Sequence, residues 1–353
     1  MRNIVATTVA TGLLFQSVAM AGTGVKAVAA AVAPVAPVIA VIRPPVLLTG
    51  YTVTVLPLDT AGGMNDGIIV GTAQGNPVAY VNGQVEPLPG FDNYTAITPT
   101  SVSATGYIVG YATSTTPSNV PYRRGLFWAS RSNAPIDMGA LGQFTMPLSI
   151  NSSGVAVGVS YQTIANGGPV GAPTAFAWSI SGGLRSIAPP LSNQSYANSI
   201  SDSGYVAGYA WYGGQQAATR WYPGSFQAGT TEFGNIALWA REDGTVYSYA
   251  KSWDLSNKAT LIAPTPSAYV YGISSIGRRI GIDNPNMQLR AWTVPAGGTT
   301  EQILPVPSGI TSSFVTQVDG CGSILGWVQY PDNSTKAVLW TKLTCDQSAV
   351  LAQ

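Results

Sequence analysis

A short apolar segment interrupted by glycine recurs along the chain. "GYVAGYA" at 204–210 has close copies in "GYIVGYA" at 106–112 and "GVAVGVS" at 154–160. Aligned on that glycine, the segment occurs seven times, with neighbouring copies 33 to 50 residues apart and about 42 on average. The aligned positions are Gly71, Gly110, Gly158, Gly208, Ser248, Gly281 and Gly326. A repeat of this length restricts the fold to architectures built from one repeated supersecondary unit.

Each repeat predicts four short strands. A turn such as "NSSG" at 151–154 precedes the glycine segment, because Asn, Asp and Ser bond nearby backbone and Gly accepts positive φ. A third strand follows that usually ends in Trp, and then a fourth that ends in Pro or Gly, as in "LRSIAPPL" at 184–191. The third-strand tryptophans are Trp128, Trp178, Trp221, Trp292 and Trp340, and we expect them in the core. Four strands in about 42 residues match one β-propeller blade.

The two ends of the repeat region predict how the propeller closes. The seventh copy lacks a fourth strand, whereas "YTVTVLPLD" at 51–59 resembles one and stands before the first copy. The sequence therefore predicts an all-β, seven-bladed β-propeller over 51–347, with the N-terminal strand 51–58 closing the last blade. Cys321 and Cys345 both fall in that blade and are predicted to form a disulfide. Residues 348–353 are predicted to be a tail.

The glycine itself leaves one side of the second strand nearly bare. In "GYVAGYA" the side chains of Tyr205 and Tyr209 fall on one side, and Gly208 falls on the other with Val206 and Ala210. A glycine inside a strand often marks a close approach of another segment. We expect the bare side to receive side chains from the neighbouring blade.

The N-terminus predicts export. Arg2, an apolar stretch to Val18 and the small residues Ala19 and Ala21 are typical of a cleaved signal peptide over 1–21, with cleavage near Ala30 as an alternative. A transmembrane anchor is the competing interpretation, which the Thr, Gln and Ser residues of the stretch disfavour. The prolines of 22–50 interrupt any helix and predict an extended Ala/Pro/Val-rich linker. We therefore expect a secreted or periplasmic protein with no membrane span after cleavage.

The composition excludes several function classes. Only 9% of the residues are charged and the net charge is +1. Binding to nucleic acid or to an anionic membrane needs clustered Lys and Arg, so neither partner is expected. The chain has no histidine and two cysteines, and so lacks the usual general base, the commonest metal ligand and the four ligands of a structural zinc site. We predict no catalytic residue, no metal and no cofactor.

Acidic residues recur in the turns before the glycine segment, at Asp66, Asp202, Asp243 and Asp319. They could be calcium ligands or a ring of carboxylates, or they could cap their own turns. Calcium needs six to eight oxygen ligands in one place, and no Asp-x-Asp-x-Asp run occurs. The pattern therefore favours capping.

The repeat resembles the HAF-type extracellular repeat family of bacterial exported proteins. "SINSSGVAVGVS" at 149–160 is similar to the family's Ile-Asn turn and Val-Val-Gly-Tyr strand. "TAFAW" at 174–178 and "IDMGALG" at 136–142 are similar to its later segments, and the resemblance covers roughly 59–345. The family's histidine is absent, since Gly125 and Thr174 stand at those positions. The resemblance implies an exported repeat protein and no particular chemistry.

Two aromatic pairs are the candidate ligand-binding residues. Trp211 and Tyr212 precede two glycines and are predicted to lie at a loop tip, and Phe91 and Tyr94 lie in a second loop, "GFDNYTA" at 90–96. Aromatic rings exposed on a surface of low charge can stack on sugar rings or anchor a protein partner. The alternative is that these rings fold back onto their own blade.

These observations predict a non-catalytic binding or scaffolding module at the cell exterior, with a glycan or a cell-surface protein as ligand. The alternative is a polysaccharide-acting hydrolase or lyase, in which distant carboxylates meet at the mouth of the propeller channel. A structural surface protein is the third interpretation.

Overall fold

The computed structural model describes residues 46–47, 50–91, 94, 96–115, 121–161, 163–165, 168–265, 268–284 and 288–345. Regular secondary structure in these ranges consists of β-strands. They contain no helix with the length and hydropathy that crossing a bilayer requires. The predicted signal peptide, most of the predicted linker and the predicted tail lie outside the described residues.

The first two strands, β1 (Val46–Leu47) and β2 (Tyr51–Val55), join sheets that form later in the chain. Apart from one short hairpin, the remaining strands form antiparallel units of three or four strands in chain order, which we number sheets 1 to 7. A parallel pair between the third strand of sheet 2 and the first strand of sheet 3 joins these two into one eight-stranded sheet. Sheet 1 contains β3 (Thr60–Asn65), β4 (Ile68–Ala73), β5 (Asn76–Val81) and β6 (Gln84–Pro87). Sheet 2 contains β7 (Ala96–Val102), β8 (Ile108–Thr115), β9 (Pro121–Trp128) and β10 (Ile136–Asp137). Sheet 3 contains β11 (Phe144–Ile150), β12 (Ala156–Tyr161), β15 (Thr174–Ser179) and β16 (Gly183–Ser186), and the hairpin β13 (Thr163–Ala165) and β14 (Gly168–Val170) lies between its second and third strands.

The later sheets follow the same order of strands. Sheet 4 contains β17 (Gln194–Ile200), β18 (Val206–Tyr212), β19 (Gln215–Trp221) and β20 (Ala228–Phe233). Sheet 5 contains β21 (Trp239–Ala240), β22 (Val246–Tyr247), β23 (Lys251–Trp253) and β24 (Ala259–Leu261). Sheet 6 contains β25 (Tyr269–Ile273), β26 (Arg279–Asp283), β27 (Arg290–Val294) and β28 (Gln302–Ile303). Sheet 7 contains β29 (Ser312–Val318), β30 (Ile324–Gln329) and β31 (Thr335–Lys342).

The N-terminal strands complete the last two sheets. β2 pairs antiparallel with β31, from Tyr51 opposite Lys342 to Val55 opposite Val338, and so provides the fourth strand of sheet 7. β1 pairs parallel with β28 and adds a fifth strand to sheet 6. The last residues of the segment predicted to be a linker are therefore part of a sheet.

Apolar clusters lie between consecutive sheets. Val157 of sheet 3 packs in one cluster with Val206 and Trp221 of sheet 4. Leu325 of sheet 7 packs in another with Met64 of sheet 1. The core thus consists of interfaces between sheets, which explains why second strands carry apolar side chains on both faces.

The third-strand tryptophans hold neighbouring sheets together. All five predicted core tryptophans are buried, which confirms that prediction, and Trp253 of sheet 5 is a sixth that the sequence pattern did not include. The indole N–H of Trp128 donates to the Pro89 carbonyl at 3.0 Å, just beyond the fourth strand of the preceding sheet. Trp221 makes the equivalent bond to the Ile187 carbonyl at 2.6 Å. At these two positions Trp therefore combines a large buried surface with a hydrogen bond between sheets.

The repeated glycine has a different reason from the predicted one. A Cβ on Gly208 would lie 1.9 Å from the carbonyl oxygen of Tyr196 and 3.0 Å from the ring of Trp221, both in the same sheet. A β-bulge between Ala197 and Ser199 of the first strand begins directly opposite Gly208. The expectation that a neighbouring blade fills this space is wrong. The backbone of the bulged first strand occupies it, and the same close approach to a first-strand carbonyl occurs at Gly71, Gly110, Gly158, Gly281 and Gly326.

Sheet 5 departs from the pattern where the repeat carries Ser248. Its first two strands have two residues each. The Ser248 hydroxyl accepts hydrogen bonds from the backbone N–H groups of Ala250 and Lys251, at 3.3 and 3.0 Å. The chain therefore turns at the position where the other second strands continue past glycine.

Cys321 and Cys345 form a disulfide, with the sulfur atoms 2.09 Å apart. Cys321 lies in the turn between the first two strands of sheet 7, and Cys345 follows β31. The Tyr51 hydroxyl donates to the Gly322 carbonyl at 2.8 Å, so β2 is attached to the same turn. The predicted pairing is thus present where the N-terminal strand joins the last sheet.

Candidate functional site

The sheets have two ends with different chemistry. One end, which we call the turn side, carries the turns between the first and second strands of each sheet. At the opposite end, the belt side, first strands begin and second strands end. The candidate residues from the sequence lie at the belt side, and the acidic turn residues lie at the turn side.

At the turn side, carboxylates accept hydrogen bonds from backbone N–H groups. Asp202 accepts from the Ser152 N–H of the preceding sheet at 2.6 Å, and Glu242 accepts from the Asp202 N–H at 2.9 Å. Asp319 accepts from the Ser323 N–H within its own turn at 2.8 Å. Across the described part of the chain, no three Asp, Glu, Cys or His side chains are grouped to hold a metal ion. The contacts match turn capping, extended to links between adjacent sheets.

At the belt side, aromatic rings extend across sheets 2 to 6, and we call them the aromatic belt. Its members are Tyr111, Phe144, Tyr161, Tyr196, Tyr209, Trp239, Tyr249, Tyr269 and Tyr271. Three of them, Tyr111, Phe144 and Tyr209, are buried, and Tyr269 is 53% exposed. The others are half-buried. The belt thus combines buried rings with rings that solvent or a ligand can reach.

The rings of sheets 3 and 4 form a connected series. Phe144 meets Tyr161 edge to face with centroids 5.3 Å apart. The hydroxyls of Tyr161 and Tyr196 are 3.0 Å apart and share a hydrogen bond. Tyr196 stacks on Tyr209 with centroids 4.6 Å apart and an interplanar angle of 18°.

The rings of sheets 5 and 6 are arranged around Tyr249. Its centroid lies 6.2 Å from Trp239, 6.2 Å from Tyr269 and 5.2 Å from Tyr271. Tyr249 also contributes to the electrostatic environment that raises the pKa of Tyr209. The Ala237 N–H, two residues before Trp239, donates to the Gly208 carbonyl at 3.1 Å, so the two groups of rings lie close together at the junction of sheets 4 and 5.

The repeat places several belt residues directly. Tyr209 is the residue after the repeated glycine, and Tyr196 is its partner on the first strand. Tyr111 holds the position after glycine in sheet 2. Sequence reasoning missed these residues because it treated strand positions as core. The signal available was the recurrence of Tyr after the glycine.

Burial raises the pKa of three belt phenols, those of Tyr196, Tyr209 and Tyr249. It is the main cause that raises the pKa of Tyr249 to about 12, with Tyr271 as the second cause. Burial also raises the pKa of Tyr209 above its usual value, as do the nearby Tyr161 and Tyr249. The pKa of Tyr196 is raised by burial and by the hydrogen bond with Tyr161. At ordinary pH these hydroxyls are neutral donors and acceptors.

Replacing Tyr209 by phenylalanine should make the protein less sensitive to alkali. The folded state raises the pKa of Tyr209 above the unfolded value of about 10. Its contribution to stability is therefore fully present below about pH 10 and is lost as the pH rises through the folded pKa. Urea unfolding between pH 8 and pH 12 should show a slope against pH that is shallower in Tyr209→Phe, by up to about 1.4 kcal/mol per pH unit. Tyr212→Phe is the control, and an equal change in that variant would contradict the assignment.

Trp211 and Tyr212 differ from their predicted place. They are the last two residues of β18 and are half-buried, and the turn beyond them consists of Gly213 and Gly214. The Tyr212 ring lies 6.2 Å from Phe233 of the same sheet, edge to face. Folding back onto the same blade, the alternative interpretation, therefore describes Tyr212. A ligand-binding role for this pair stays a prediction.

Phe91 and Tyr94 lie in the connection between sheets 1 and 2. Their ring centroids are 5.4 Å apart, and both half-buried rings pack against the apolar cluster shared by these sheets. No ring contact in the described ranges joins them to Trp211 or Tyr212. The structure thus places the two predicted pairs at separate positions on the belt side, and their role also stays a prediction.

Sheet 6 carries two carboxylates, Asp283 at the end of β26 and Glu301 just before β28. Asp283 forms an ion pair with Arg290. Burial raises the pKa of the Glu301 carboxyl above its usual value, and the charge of Asp283 raises it further. Two acids with different environments are the arrangement that glycoside hydrolysis needs. Here Asp283 is occupied by its ion pair.

Four-stranded antiparallel sheets that pack face to face through shared apolar interfaces define a β-propeller fold. No protein-family model matches the chain, and no curated protein matches it significantly. Among solved structures, YCF48 bound to D1 peptide is similar at 15% identity and a TM-score of 0.51, over 85% of this chain and 98% of that one. A puromycin hydrolase complexed with PGG is similar at 11% identity and a TM-score of 0.53, over 80% of this chain and 52% of that one. A prolyl endopeptidase is similar at 13% identity and a TM-score of 0.51, over 83% and 50%.

The chain spans about half the length of the puromycin hydrolase and prolyl endopeptidase chains. Identities this low show a shared fold alone. The similarity confirms the all-β, propeller-type architecture that the repeat predicts.

Proposed function

We propose that this protein is an exported, non-catalytic seven-bladed β-propeller that binds a glycan through the aromatic belt. The strand pairing of β2 with sheet 7 supports a closed ring. So does the contact between the last and first sheets, in which the Gln317 side chain accepts a hydrogen bond from the Met64 N–H at 2.6 Å. The disulfide fits an oxidising compartment outside the cytoplasm. Membership of the HAF-type repeat family is part of the same proposal.

The observation that most supports this proposal is the row of accessible tyrosines at the belt side. Tyr161, Tyr196, Tyr249 and Tyr271 are half-buried, and Tyr269 is exposed. Ligand sites are mostly apolar surfaces with a few placed polar groups. A tyrosine supplies both, because its ring gives apolar area and its hydroxyl gives a hydrogen bond. A sugar ring has matching chemistry, with C–H groups on its faces and hydroxyls at its edge. A row of such rings therefore suits a chain of sugar units.

Binding of the full-length protein to a glycan array, followed by calorimetry with the best glycan, tests the proposal. Tyr269→Ala removes an exposed belt ring and should weaken binding about fivefold to tenfold, the effect of losing one aromatic contact. Tyr212→Ala removes a ring outside the belt and should leave affinity unchanged. The reverse result would move the site to the pair predicted from the sequence. Failure to bind any glycan on the array would contradict the proposal.

A polysaccharide-acting hydrolase or lyase is the second candidate, and Asp283 with Glu301 is the observation that favours it. The array glycans serve as substrates in the same experiment, with release of new sugar ends as the measurement. Turnover that Glu301→Gln abolishes would establish this candidate in place of the binding module. The two hydrolases of similar fold give no support for their own chemistry, because identities of 11% and 13% show a shared fold alone.

A further inference from the structure

Arg123 lies at one end of the aromatic belt, between two rings. It belongs to β9 of sheet 2 and pairs with Phe144 where sheets 2 and 3 meet. Its guanidinium carbon is 4.3 Å from the centroid of Tyr111 and 4.6 Å from the centroid of Phe144. Stacking of this kind holds a guanidinium by its face. The N–H groups at the edge of the guanidinium remain available to a partner that lies in the guanidinium plane.

No carboxylate in the described ranges forms an ion pair with Arg123. Its neighbour Arg124 is paired with Asp137 at 3.4 Å. Within the described ranges, the Arg123 side chain makes one hydrogen bond, from Nη1 to the Met146 sulfur at 3.3 Å. A thioether is a weak acceptor, whereas a guanidinium carries five N–H donors.

Neutral hydrogen-bond donors adjoin this cation. Phe144, which stacks on Arg123, is in edge contact with Tyr161, and the Tyr161 hydroxyl is bonded to that of Tyr196. One of the two hydroxyl hydrogens makes this bond, and the other is left to donate elsewhere. At this end of the belt, the Arg123 guanidinium is therefore followed by the hydroxyls and ring faces of the tyrosines.

Other cations near the belt are neutralised. Lys251 of sheet 5 is paired with Glu232 at 2.8 Å, and Arg290 of sheet 6 is paired with Asp283. Among the described residues near the belt, Arg123 thus differs from these cations in having no carboxylate partner. A ligand that matches this pattern carries one carboxylate followed by neutral units.

We propose that Arg123 binds the carboxylate of an acidic sugar, so that the belt recognises a glycan with a uronic acid unit at the sheet 2 end. An arginine can hold a carboxylate through two parallel N–H···O bonds, a geometry that lysine cannot reproduce. The neutral sugars of the chain then lie on Tyr161, Tyr196 and the rings beyond them. This inference rests on the proposed glycan binding and adds the chemical class of the ligand.

Calorimetry with cellobiouronic acid and cellobiose tests the inference on the full-length protein. The two disaccharides differ in one carboxylate at C6 of one ring. We expect the acid to bind at least tenfold more tightly at low salt, and the preference to shrink as NaCl screens the charge. Arg123→Met should abolish the preference. Arg123→Lys should restore part of it, and Arg124→Met, the matched control, should keep it.

The outcomes separate this inference from the proposal beneath it. Equal binding of both disaccharides by the wild-type protein would overturn the role of Arg123 and leave glycan binding standing. A preference that survives Arg123→Met, in a variant with wild-type near-ultraviolet circular dichroism, would also overturn it. Absence of binding by both, when another glycan of the array is bound, would overturn this inference alone. A tripeptide that binds as the free acid and not as the amide, with neither sugar bound, would assign Arg123 to a peptide carboxylate instead.

Discussion

Replacing Gly208 by alanine should lower the free energy of unfolding by about 4 kcal/mol, at the upper end for a single methyl group. The added Cβ would lie 1.9 Å from the Tyr196 carbonyl oxygen and 3.0 Å from the Trp221 ring. The nearer obstacle is backbone, so rotation of a side chain cannot relieve it. The first strand would have to move at its bulge. Tyr196, a member of the aromatic belt, would move with it. We therefore expect loss of both stability and glycan affinity.

Gly90→Ala is the matched control for this prediction. Gly90 is exposed, and a Cβ there would have no heavy atom within 4 Å. Its φ also lies outside the region that disfavours alanine. The same chemical change should therefore alter stability by less than about 0.5 kcal/mol. Urea unfolding at pH 7 measures both variants, and similar midpoints for Gly208→Ala and Gly90→Ala would refute the role of the bulge.

The sequence predicted that Gly208 is sterically required, and it could not identify the obstacle. Alternation along "GYVAGYA" shows which side of the strand is bare. It does not show what faces that side, because the answer depends on the register of the first strand. That strand skips one residue at the bulge between Ala197 and Ser199. A bulge is a feature of the backbone, and the small side chains at this position do not predict it.

The fold was more predictable than the site for a related reason. The strands, the buried tryptophans and the position of β2 follow from a repeat that is visible in one dimension. The aromatic belt depends on contacts between sheets, such as the hydroxyl bond between Tyr161 and Tyr196, which are 35 residues apart. Inside a strand, either residue resembles a core tyrosine. The sequence predicted a ligand-binding role for Trp211 and Tyr212 because two glycines follow them. That pattern indicates a turn and does not itself indicate a binding site.

Arg220 is a further residue whose role the repeat conceals. It stands beside Trp221 at the end of β19 and is 1% exposed. Its Nη2 donates to the backbone carbonyls of Trp253 and Asp254 at 2.8 and 2.7 Å, and its Nη1 donates to the Asn257 side chain at 3.2 Å. These acceptors belong to sheet 5, in which no strand exceeds three residues. Hydrogen bonds from sheet 4 therefore support the sheet that has the fewest of its own.

Arg220→Met should lower the free energy of unfolding by about 3 kcal/mol. Methionine keeps most of the buried length and leaves the carbonyls of Trp253 and Asp254 without their donor, so the loss is one of hydrogen bonding more than of packing. Hydrogen exchange should show the amides of 251–261 opening first, since sheet 5 loses its support. The matched control is Arg185→Met, an exposed arginine that donates to the Gly224 carbonyl at 3.2 Å and should cost less than about 1 kcal/mol.

The pattern of exchange decides what Arg220 contributes. Faster exchange confined to sheet 5 means that the arginine holds that sheet to sheet 4. Uniform acceleration in all sheets would mean that it supports the whole ring and that sheet 5 is no weaker than the others. Unchanged or increased stability would mean that the desolvation free energy of the buried guanidinium is at least as large as the stabilisation from its three hydrogen bonds. In that case packing, such as the cluster of Ala207, Val246 and Trp253, stabilises the short strands of sheet 5.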